Sequence, residues 1–114
     1  MIGLTIASAV YLAGLQASIT GPRMAFGNCL KQAEASAKAQ KVALDAYADF
    51  LRTACSAQGD KLKAALVAFD VKNGVGRSRA SNDAAADVTE QFSASQENYE
   101  WISKTEAKAA AAAN

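Results

Sequence analysis

Cys29 and Cys55 are the only cysteines in this 114-residue chain, and no histidine accompanies them. The chemistry open to the pair is therefore narrow. Without histidine the chain lacks the commonest general base and the commonest transition-metal ligand. Two cysteines alone do not close a structural zinc site. Their separation of 26 positions matches neither a CxxC redox motif nor a CxxCH haem attachment. A structural disulfide is the expected state, with two buried free thiols as the alternative. Both cysteines fall on apolar faces of successive predicted helices, and antiparallel packing brings such Cβ atoms within bonding range. In an oxidising compartment the bridge contributes about 3–4 kcal/mol on a chain-entropy estimate. That is a large share of the stability of a small domain.

The remaining candidates are weaker. Neither GxSxG nor GxxxxGK[ST] occurs. The segment Asn73-Gly-Val-Gly-Arg77 has two glycines and lies beside Arg77 and Arg79, so it offers an anion a helix N-terminus; an ordinary interhelical turn is the plainer reading. Asp45 with Asp49, and Asp83 with Asp87, are carboxylate pairs one helical turn apart. Such pairs do acid/base work only when burial separates their pKa values, and here a solvated face is expected. Phe92 and Tyr99 share an apolar stripe, whereas Trp101 sits off it and is the aromatic expected to meet a partner. Lys61 and Lys63 join Lys31, Lys38 and Lys41 in a basic face. The expected partner-binding residues are thus Trp101, Arg77, Arg79, Lys61 and Lys63. No catalytic constellation, cofactor or metal site is expected.

The net charge of +1 speaks against a general nucleic-acid binder. It conceals an asymmetry. Residues 23–79 carry ten Lys/Arg and five Asp/Glu, a local +5, whereas residues 80–114 carry two and six, a local −4. An acidic last helix packed beside basic earlier ones accounts for this. A basic face for an anionic ligand or an envelope protein is the alternative.

The elements that must position these residues are helical, because alanine dominates and β-branched residues are few after position 22. Pro22 suits a first helical turn, and Ala25, Phe26, Cys29, Leu30, Ala33 and Ala37 recur at helical spacing, so a helix is expected over about 23–40. A second opens near Asp45, with Leu44, Tyr47, Phe50, Leu51, Ala54 and Cys55 on one face. Gly59 and Asp60 read as a break and cap before a third helix carrying Leu62, Ala65, Leu66 and Phe69. Lys72 to Gly76 reads as a turn, since Asn73 and Gly74 both accept left-handed backbone. Ser78 or Ser81 would cap the last helix, with Asp83 and Asp87 near its positive end. Its stripe is Val88, Phe92, Ser95, Tyr99 and Ile102. The fold class expected is all-α, a small up-and-down bundle of three to four helices stapled by one disulfide and preceded by an apolar segment. The division expected is 1–21 signal peptide or membrane anchor, 22–106 helical domain, and 107–114 an alanine-rich tail that frays.

The first 22 residues carry no charged side chain. Ile2 to Leu15 has the length and apolar character of a signal-peptide core, with a small-residue cut after Ala17. The stretch is also long enough to span a bilayer once as an uncleaved anchor, or to serve as a buried helix. An apolar N-terminal helix with proline at position 22 is similar to type IV pilin subunits, which carry glutamate at position five where this chain has Thr5. Export with cleavage is the favoured reading.

Cys29-Leu-Lys-Gln-Ala, Ala54-Cys55 and the run AALVAFDVKNGVGRSRA over Ala64 to Ala80 resemble a group of small, uncharacterised exported bacterial proteins. The resemblance covers about residues 26–102 and is most distinctive at Phe69 to Gly74. It implies a signal peptide, a cysteine pair and a helical body, with no activity to transfer. The functional expectation is a non-enzymatic exported protein, periplasmic or secreted, acting as an envelope binding or stress-related module. The alternative is a membrane-anchored accessory or filament-like assembly subunit using residues 1–20. Self-association is a further way for an alanine-rich bundle to complete its core.

Overall fold

The computed structural model describes the backbone of residues 2–113 and the side chains of residues 18–113. Three helices follow one another: α1 Ile2–Gln40, α2 Leu44–Lys72 and α3 Arg77–Ala113. Short turns make neighbours antiparallel, giving an up-and-down three-helix arrangement. The expected stripes form its core. Phe26, Leu30, Ala33 and Ala37 of α1, Tyr47, Leu51, Cys55 and Leu62 of α2, and Val88, Phe92 and Tyr99 of α3 are all buried. Ala25, expected on the α1 stripe, and Leu44 and Ala54, expected on the α2 face, are exposed instead, because they sit at the margins of stripes narrower than the local spacing suggests.

Two expected helix boundaries are absent. Pro22 lies inside α1 rather than opening it. A proline forfeits one backbone bond, but Ile19 before it and Phe26 after it both pack on the core, so tertiary burial carries the helix through. Likewise α2 runs unbroken through Gly59 and Asp60. Gly59 is buried against α3, where a Cβ would stand 3.2 Å from Val88 Cγ1 and 3.5 Å from Phe26 Cε2. It is a close-approach glycine inside a helix, not a stop. Three helices result, not four.

The turns differ in mechanism. At the second, Gly74 takes φ 90° while Asn73 stays at φ −92° and its side-chain amide donates to the Phe69 carbonyl at 2.8 Å. The Val75 N–H reaches back to the Asp70 carbonyl at 2.9 Å, closing the orphan carbonyls of α2. At the first, Lys41 takes the left-handed conformation, φ 55°, that a glycine usually supplies. Helix α3 begins at Arg77, so Ser78 and Ser81 lie within it and neither is its N-cap. The helix continues through the alanine-rich tail to Ala113.

The signal-or-anchor expectation for 1–21 falls mostly on residues whose side chains lie outside the described ones. Among the described residues no helix is long and apolar enough to cross a membrane.

Candidate functional site

Cys29 and Cys55 form the expected disulfide, joining α1 to α2 with Cα atoms 5.8 Å apart. That separation is ordinary for a bridge. Cys55 is fully buried among the core residues, with Cys29 packed at their edge. A formed disulfide fits an oxidising compartment.

No covalent link holds α3. Two polar contacts, one buried and one part-buried, orient it instead. Tyr47 Oη and Ser95 Oγ are 2.9 Å apart, and the Tyr99 hydroxyl donates to the Val42 carbonyl at 2.6 Å. The two tyrosine rings stack with centroids 3.9 Å apart, and Phe26 meets Phe92 edge-on at 5.1 Å. Burial pushes the Tyr47 phenol above its usual value, more strongly than the Ser95 contact lowers it.

The charge asymmetry is partly resolved within the chain. Arg23 of α1 pairs with Asp87 of α3 at 3.1 Å, and Lys38 of α1 pairs with Glu106 of α3. Basic α1 and acidic α3 therefore face one another, as the charge distribution suggested. Asp87 is thus a paired carboxylate rather than part of a bare solvated face.

A groove of about 680 Å³ lies between the C-terminal half of α2 and the start of α3. Its wall is Ala64, Val67, Ala68 and Val71 from α2 and Ala85 with the hydroxyl-bearing Ser81 from α3, and its rim carries Lys63, Lys72 and Arg77. The wall exists because both helices spend their larger side chains on the core, leaving small apolar residues beside the seam. No α1 residue lines it. A smaller hollow of about 220 Å³ adjoins it through Lys63 and Ala85 and ends at Arg52 and Phe92.

Of the five expected partner-binding residues, the structure brings two together: Lys63 and Arg77 share the groove. Arg79 turns to Asp83 on its own helix at 3.8 Å, and Lys61 is exposed outside the groove lining. Trp101 is 66% exposed, as expected of a residue off the stripe. It lies about 36 Å of helix rise from Arg77, too far to share a site. Lys72 completes the rim, outside the five residues the sequence suggests. Its signal was a cation closing a helix immediately before the turn. Among the described residues no three His, Cys, Asp or Glu side chains gather to hold a metal ion.

Fold and site together define a disulfide-stapled, all-α three-helix protein with an apolar interhelical groove. Compared with family models, curated proteins and solved structures, the chain matches none.

Proposed function

We propose that this protein is a non-enzymatic helical binding module, exported to an oxidising compartment such as the cell envelope, that holds an apolar small molecule between α2 and α3. The observation that carries the reading is the groove itself. Its volume of about 680 Å³ lies within the range of small-molecule sites, and its wall is mostly alanine and valine methyl groups, with Ser81 the one uncharged polar side chain. The Cys29–Cys55 bridge and the charge-free N-terminus support export. The lack of histidine and of any nucleophile-base motif supports a binding role over catalysis.

Binding is tested with the neutral dye N-phenyl-1-naphthylamine. The protein should enhance its fluorescence, and Ala68→Glu, which puts a charge into the wall at an exposed position, should abolish the enhancement while leaving the far-UV circular dichroism intact. No enhancement with the unmodified chain rejects the reading. Export is tested by intact mass from the native host: loss of about the first 17 to 21 residues is expected, with both thiols blocked until reduction. A full-length mass with free thiols rejects export.

One observation favours an anchored subunit as a second reading. Helix α1 passes without a break from the charge-free segment into the bundle. That reading predicts that the protein stays with membranes through a carbonate wash.

A further inference from the structure

The two ends of the groove differ in charge. At the turn end Lys72 closes α2 and Arg77 opens α3, and among the described residues no ion pair engages either. At the other end Lys63 is held by Asp60 at 3.3 Å. Between these ends the α2 wall offers only methyl groups, from Val71 back to Ala64. Lys63 to Lys72 covers about 13 Å of helix rise. The site is thus an apolar trough with two uncommitted cations at one end.

Building on the binding reading above, we propose that the occupant is a single-chain amphiphile with an anionic head of the fatty-carboxylate type. Its head lies against Lys72 and Arg77, and its alkyl tail follows Val71, Val67 and Ala64 toward Lys63. Burial of the tail supplies affinity, which is non-directional. The two cations supply orientation, because a carboxylate at the Lys63 end would compete with Asp60 for one ammonium. A cationic amphiphile would place its head beside two like charges, and that juxtaposition sets the specificity. The volume suits one small molecule, and a trough between two helices admits one chain rather than a lipid surface.

The experiment uses the full chain. Laurate, dodecyl maltoside and dodecyltrimethylammonium, each below its micellar concentration, are titrated by calorimetry. Laurate should bind at least about tenfold more tightly than the cation of equal chain length, a margin within reach of two charge contacts. Lys72→Glu/Arg77→Glu should abolish or reverse that preference, and a variant that still prefers laurate tenfold overturns the proposal. Equal binding of laurate and the cation overturns the proposal and leaves the groove reading standing. Absence of the dye signal itself rejects both. Binding to phosphatidylglycerol vesicles without binding to free laurate assigns the cations to a membrane surface and overturns the proposal. So does a dimer in sedimentation that Ala68→Glu dissociates and laurate does not, which would seat a second copy in the groove.

Discussion

Gly59 of α2 and Val88 of α3 approach so closely that a Cβ on the glycine would lie 3.2 Å from Val88 Cγ1. This contact sets the spacing of α2 and α3 beside the groove, since Val88 and Gly59 also line the hollow adjoining it. Gly59→Val overfills the seam and should destabilise the fold by about 1–3 kcal/mol in urea unfolding. Gly59→Ala should change stability far less, because a helix-propensity gain of up to about 1 kcal/mol opposes the crowding. A valine variant as stable as the parent would show that the seam is slack.

That glycine also shows where the sequence misleads. A glycine followed by aspartate reads locally as a helix stop, and only the arrival of Val88, distant in sequence, gives it another purpose. Pro22 misleads in the same way, because the burial of Ile19 and Phe26 is not visible in a local pattern. The stripes from Phe26 to Ala37, Tyr47 to Cys55 and Val88 to Tyr99 were legible, since helical spacing alone places them on one face. So was the disulfide, which follows from two such faces. The groove was not legible as a site. It joins Lys63 to Ala85 across a turn, and its wall residues look like helix filler until the core has claimed their larger neighbours.

The disulfide joins α1 to α2 and closes a separation of 26 residues. Cys29→Ala/Cys55→Ala should lose about 3–4 kcal/mol of unfolding free energy, with additional loss from the space left at buried Cys55. Reduction of the unmodified chain should give a comparable fall. A loss below about 1 kcal/mol would mean that the unfolded chain is already held compact by other means.

Asp87 makes stability fall in acid. Partial burial pushes its carboxyl up, but hydrogen bonds from Arg23 and Gln91, with the Arg23 charge, outweigh this and hold it below its usual value of 3.8. The folded state thus favours the ionised form. Its contribution is complete above the unfolded value and is lost as pH falls through the lower folded value. The pair is partly exposed, so Asp87→Asn should cost only up to about 1 kcal/mol at neutral pH. The gap between variant and parent should close progressively below pH 3.8. A gap independent of pH would assign the loss to packing instead.

Lys41 ends α1 in left-handed backbone at φ 55°. Lys41→Gly should therefore stabilise the fold by about 1 kcal/mol, since glycine adopts this conformation without the steric penalty. Thermal unfolding checks it, and a lower melting temperature would show that the lysine side chain contributes more than its backbone costs.

Occupancy of the α2/α3 groove is the property from which the binding role follows. Amide shift mapping of the labelled full chain with N-phenyl-1-naphthylamine tests this most directly. The largest changes should fall on Ala64, Val67, Ala68, Val71 and Ala85, with the region around Trp101 unmoved. Changes centred on Trp101, or none at saturating dye, would contradict it.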